Sequence, residues 1–258
     1  MRRAARAAAA AFMAELRHRR GSSFYVAAAF LQPVIVSIVT VGACVWAGNR
    51  ELVAFTAVGA GFIGIWNATL WGSGVIIDEE RRAGTLPLLL AAPADLRLVL
   101  LGKSLADAMP AVLALPLSFA SASMIGADIA VRRPFAFVLA VLATLVSTSV
   151  LGVALSAAFV LSRHGAEYVP VVNYPVFLLA GLAVPVALLP APVRFVSSIL
   201  SVRWGNEAAT AAVASSAPTA WTPYLVMAAL TALYALAAAA LHAAVERRAR
   251  FEGSLGQW

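Results

Sequence analysis

Six stretches of this chain are apolar over about 20 residues or more, and that pattern restricts its fold more than anything else in the sequence. They run roughly over Phe24–Ala47, Leu52–Ile77, Leu98–Ile125, Phe135–Leu161, Val169–Leu189 and Ala220–Val245. Only a helix satisfies its own backbone polar groups in hydrocarbon while using one chain segment. The expected fold is therefore an all-α membrane protein with six transmembrane helices, built as a single transmembrane domain over residues 1–258. Composition agrees: 62% of the residues are hydrophobic and 12% charged, against roughly 25% charged in soluble domains. Pro33, Pro110, Pro116, Pro175 and Pro185 fall inside the spans, where neighbouring helices can re-satisfy the carbonyls that a proline frees.

Charge sets the orientation. With the N-terminus inside, fourteen basic residues lie on the cytoplasmic side, and only Arg50, Arg132, Arg133, Arg194 and Arg203 lie outside, accounting for all 19 Lys and Arg. An excess of this kind marks the cytoplasmic face, so both termini are expected inside. The basic residues sit at span ends and form no continuous face of the kind nucleic-acid binding needs. Residues 1–23 read as a basic amphipathic helix on the cytoplasmic surface, with Phe12, Met13 and Leu16 toward lipid. Glu15, Arg17, Arg19 and Arg20 follow its apolar run too closely for a cleaved signal peptide. Residues 246–258 read as a cytoplasmic tail. The connection 190–217 contains about 10 residues of amphipathic helix, with Val193, Val196 and Leu200 on its apolar face and Arg194, Ser197, Ser198 and Ser201 opposite. It reads as an outer re-entrant or interfacial piece, with Trp204 and Trp221 as anchors at the headgroup level. The single cysteine, Cys44, excludes an intrachain disulfide and a cysteine metal cluster.

The cytoplasmic connection 78–97 breaks the apolar pattern. It opens with Asp78, Glu79, Glu80, Arg81 and Arg82 and continues through Gly84, Thr85, Leu86, Pro87, Leu89, Leu90 and Pro93. Thr85 suits the N-cap of a short helix over Leu86–Ala92, about 10 Å long at 1.5 Å per residue. That helix would present Leu86, Leu89 and Leu90 together, rimmed by charge. Such a knob suits a protein partner; on physics alone, burial of the same leucines in the membrane interface is an equal alternative. Gly102-Lys103-Ser104 has the look of the end of a phosphate-binding loop, but that motif needs a glycine where Arg97 stands. Nucleotide binding by this chain is therefore rejected.

The remaining features are sparser. Ala60, Gly64, Ala68 and Gly72 recur at intervals of four on span two and form a candidate face for close packing against a second subunit. Asn67, Thr69, Ser73 and Asn173 are polar groups within spans and candidates for lining a translocation path. Asp107 stands four residues after Lys103, so the two are expected to pair along the helix. His18, His164 and His242 show no metal-ligand spacing and no nucleophile–base pattern, so neither a metal site nor a catalytic residue is expected.

The run Glu80-Arg81, Gly84-Thr85-Leu86, Leu89-Leu90, Pro93 and Gly102-Lys103 resembles the permease subunits of ATP-binding-cassette transporters of the type-2, exporter, class. The order of elements along nearly the whole chain is similar too. Pro87 departs from the family pattern, in which a polar residue commonly follows the Thr-Leu pair. A proline is tolerated in a first helical turn because its missing N–H has no partner there.

The resemblance implies the membrane subunit of an exporter in the plasma or inner membrane. Two permease chains, identical or paralogous, would pair, with two separate cytoplasmic ATPase subunits binding ATP and Mg and docking at Glu80, Arg81, Gly84, Thr85, Leu86, Leu89, Leu90 and Pro93. The cargo class suggested by the apolar interior is a drug, natural product or lipid-like molecule. The alternatives are an ATP-independent secondary transporter or channel, for which Asp107 would be the sensitive residue, and a membrane-embedded lipid enzyme.

Overall fold

The structure is a computed structural model and describes residues 2–20, 23–49, 51–72, 76–85, 96–127, 129–161, 168–214 and 218–252. Among the described residues all regular structure is helical. Helix α1 covers Arg2–Arg20 and α2 Ser23–Trp46. Helix α3, Glu51–Asn67, passes directly into a π-helical turn, Ala68–Gly72, and α4 follows at Ile76–Arg82. Helix α5, Leu96–Ala108, continues through a 3-10 turn, Pro110–Leu113, into α6, Ala114–Met124. The remaining helices are α7 (Pro134–Leu161), α8 (Tyr168–Leu179), α9 (Ala191–Ser198), α10 (Ser201–Ala214) and α11 (Thr222–Glu252).

Among the described residues, four stretches are long and apolar enough to cross a bilayer: Leu52–Gly72, Leu96–Met124, Pro134–Phe159 and Thr222–Val245. A shorter apolar helix runs over Leu31–Trp46. The first of the four is 78% buried and the last 17%. Span two is thus the axis of the bundle, and α11 presents side chains such as Leu225, Leu233 and Leu236 outward, as lipid contact requires. Val58, Phe62, Ile65 and Trp66 of α3 form the centre of the core, with α2, α6 and α10 packed around them.

Glycine positions explain both the stops and the close approaches. Gly48, Gly84, Gly126 and Gly181 have positive φ, and Gly48, Gly126 and Gly181 each close a helix by the same pair of reversed hydrogen bonds. At Gly181 these run from its own N–H to Leu178 and from the Leu182 N–H to Phe177, each 3.1 Å. This is the Schellman stop, which needs the left-handed conformation that glycine adopts without strain.

That stop corrects the continuous fifth span expected over Val169–Leu189. Helix α8 has 12 residues, about 18 Å at 1.5 Å per residue, short of the roughly 30 Å hydrocarbon core. The chain after the break is itself buried. Leu182 is 1% exposed, and its carbonyl lies against α3 so closely that a Cβ on Gly59 would meet it at 2.0 Å. Asn206 of α10 donates to the Gly181 carbonyl at 2.9 Å.

The outer connection is corrected as well. It holds two helices, α9 and α10, and two serines of the polar side are buried while Arg194 is exposed. Ser197 and Ser201 are 0% and 1% exposed, while Phe195 is 71% exposed. In a hydrocarbon environment large apolar groups can face outward, and small residues let backbones approach inside. The elbow between α9 and α10 is tied to α11 by Tyr234, whose hydroxyl donates to the Ile199 carbonyl and accepts the Ser201 N–H.

The small-residue stripe of span two turns inward. Ala60 and Ala68 are 1% and 8% exposed. A Cβ on Gly64 would meet Ala114 at 2.7 Å, and one on Gly72 would meet Asp107 at 2.8 Å. Within the chain this stripe, expected as a contact face toward a second subunit, packs closely against α6 and α5.

Candidate coupling junction between spans two and three

The connection after span two begins at the π-helical turn, whose wider winding marks a place where a helix departs from regular geometry. Helix α4 then runs for seven residues and stops at Gly84, with the Thr85 N–H bonded 3.0 Å from the Glu80 carbonyl. The Thr85 hydroxyl turns back to the same residue, contacting the Glu80 carboxylate and lying 3.2 Å from its carbonyl. Thr85 therefore braces the end of α4. Leu86, Leu89, Leu90 and Pro93, with Ser73 further upstream, lie outside the described residues.

Across the connection, Lys103 of α5 reaches back to α4. Its ammonium pairs with the Glu80 carboxylate and, 3.1 Å away, with Glu15 of α1. The three side chains are 16%, 14% and 7% exposed. One cation thus joins three helices: α4, which closes span two; α5, which opens span three; and α1. Ion pairs this enclosed cost desolvation, so they contribute more to fixing a geometry than to net stability, and losing one partner is expensive.

The expected pairing of Lys103 with Asp107 is replaced by this triad. Asp107 is 0% exposed, and its carboxylate lies against Gly72 at the end of the π-helical turn. Gly102, which belonged to the rejected phosphate-loop motif, has a packing reason. Helix α1 crosses α5 there, and a Cβ would meet the Ala8 carbonyl at 2.3 Å.

Glu15 was not singled out by sequence reading. Its signal is that it is the sole carboxylate in a helix of six arginines, which invites the question of what cation it serves. Arg81 is placed on α4, and Glu79 and Arg82 are exposed on the same helix.

The groups expected along a path are only partly brought together. Asn67 donates to Gln32 of α2 at 2.8 Å. Thr69 is 0% exposed and bonds the Ile65 carbonyl of its own helix at 3.1 Å, and Asn173 is 3% exposed. Thr69 and Asn173 are both buried within this chain.

An α-helical bundle with bilayer-length apolar spans and a charged junction between two of them defines a polytopic membrane protein, whose buried polar groups among the described residues include amides, hydroxyls, His242 and the acids Glu15 and Asp107. The chain belongs to the ABC-2 type transporter family, whose profile matches residues 7–214. It is accordingly a transport permease subunit of an ABC transporter, of a family that generally pairs with ABC ATPases. Comparison with curated proteins finds no match.

Proposed function

We propose that this chain is the membrane half of an ATP-driven exporter. Separate cytoplasmic ATPase subunits carry the ATP and Mg and dock on residues 78–97. Two permease chains, identical or paralogous, pair around the path in the inner membrane and move an amphipathic or hydrophobic cargo outward.

The observation that supports this reading is the Glu15–Lys103–Glu80 triad. It clamps both ends of the connection 86–95 to each other and to α1. A push on that connection therefore reaches span two through α4, and span three through α5, as one displacement. Two conformations of the bundle are required, and nucleotide must favour one of them by a differential interaction; a rigid clamp at the docking point is what transmits that difference. Leu86→Asp or Leu89→Asp is expected to abolish transport-coupled ATPase activity in protein that still inserts, and full coupling in these variants overturns the reading.

A further inference from the structure

Most of α10 is buried, and a narrow stripe of it reaches the surface of the chain. Arg203 does so in part, and Glu207, Ala211 and Ala214 are exposed. At intervals of four, four and three, these residues share one helix face.

The stripe lies within the bilayer. At the C-terminal end of α10, the carbonyls of Ala211 and Ala212 accept from Arg133, one residue before α7 begins, at 2.7 and 3.0 Å. Toward its N-terminus α10 follows α7 inward, and a Cβ on Gly205 would meet the Thr144 hydroxyl at 1.8 Å. Thr144 lies ten residues into the span that starts at Pro134. That is about 15 Å, half of the roughly 30 Å hydrocarbon core. Arg203 and Glu207 flank Gly205 and share its depth.

Charged side chains so deep are costly against acyl chains and face protein or water. The stripe also lacks the large apolar groups, such as Leu225, Leu233 and Leu236, that α11 turns outward. Within the chain its two charges do not meet. The Arg203 guanidinium sits 4.6 Å over the Trp204 ring and donates to the Arg194 carbonyl at 3.3 Å, and its Nε has no partner. Glu207 has no ion pair among the described residues.

We propose that a second copy of this chain packs here, α10 against α10, about a two-fold axis along the membrane normal. The axis sets the two helices parallel and side by side. Arg203 of each chain then reaches Glu207 of the other, one turn further on, and the alanines let the backbones close in. A face that carries both signs is complementary to its own copy, and the exchange shields both charges from hydrocarbon. The proposal rests on the pairing of two permease chains in the reading above and names the face that pairs.

The test co-expresses two differently tagged full-length copies without an ATPase and measures how much of one is recovered with the other in mild detergent. Arg203→Glu in both copies is expected to lower recovery about ten-fold or more, as is Glu207→Arg in both, because like charges are brought together. Pairing returns when an Arg203→Glu copy meets a Glu207→Arg copy, and when one chain carries both exchanges. Parental recovery in both single variants overturns the proposal. So does a loss that neither combination restores in protein with the parent's detergent Tm. Ala211→Cys in a Cys44→Ala background probes the same face without altering charge, and oxidation is expected to join the two copies by a disulfide. Labelling by a membrane-impermeant maleimide without that disulfide marks a water-filled face, and reaction with neither marks lipid contact; each overturns the proposal. If the parent copies do not pair at all, the paired-permease reading falls too. If they pair whatever the charges, that reading stands and this face alone is lost.

Discussion

Lys103→Met removes a cation shared by Glu15 and Glu80 and keeps most of the side chain's volume. Two carboxylates, 7% and 14% exposed, then each lose one charged partner. Breaking a buried pair from one side costs about 3–5 kcal/mol; residual exposure places this site at the lower end, about 3 kcal/mol. For a chain of this length each kcal/mol shifts Tm by about 2–4 °C, so purified Lys103→Met should melt about 6–12 °C lower in detergent. The loss comes from weakened charge pairing, so removing the carboxylate charges as well should restore much of it. The triple variant with Glu15→Gln and Glu80→Gln should return to within about 1 kcal/mol of the parent, since replacing all partners together is nearly neutral. The informative comparison is stability against coupling. The triple variant should be stable yet less effective at stimulating a partner ATPase, because neutral amides hold three helices less firmly than one ammonium between two carboxylates. A Lys103→Met protein that melts with the parent and couples fully refutes the clamp.

Two further variants probe the frame around this junction. Tyr234→Phe removes both hydrogen bonds that hold the elbow between α9 and α10; it should cost about 1–3 kcal/mol and show as faster amide exchange around residues 199–201. Gly59→Ala places a methyl 2.0 Å from the Leu182 carbonyl; it should destabilise by about 1–3 kcal/mol through overpacking, read as a lower detergent Tm than for the exposed control Gly48→Asn.

The spans were legible because apolar run length is a local property that survives any arrangement of neighbours. The order of α2, α3, α7 and α11 follows from it directly. What lay across from each helix was not legible. Gly181 reads in sequence like any glycine tolerated in a membrane helix, and only its positive φ and the burial of Leu182 show it as a stop. The burial of Ser197 and Ser201 was not legible either, because an amphipathic pattern does not say which surroundings each face meets. In the junction, Glu80 stood out from its charged run. Its partner Lys103 was assigned to Asp107 by spacing, since i to i+4 is the sole pairing that sequence displays without a fold. Glu15 lies 88 positions from Lys103 and could be found only by asking which cation answers a lone acid among arginines. The π-helical turn at Ala68–Gly72 had no sequence cue beyond Gly72, whose missing Cβ makes room for Asp107.

The connection between spans two and three carries the whole proposal, and its leucines are where it is tested. Parent, Leu86→Asp and Leu89→Asp chains would be reconstituted into vesicles with the cognate ATPase, matched for inserted protein, and their ATP hydrolysis and cargo movement measured together. Hydrolysis uncoupled from transport, or a failure of the ATPase to bind, is the expected result in both variants, with the fold and insertion unchanged. Parental rates of coupled hydrolysis and transport with an aspartate at either position would contradict the assignment of this segment as the ATPase dock.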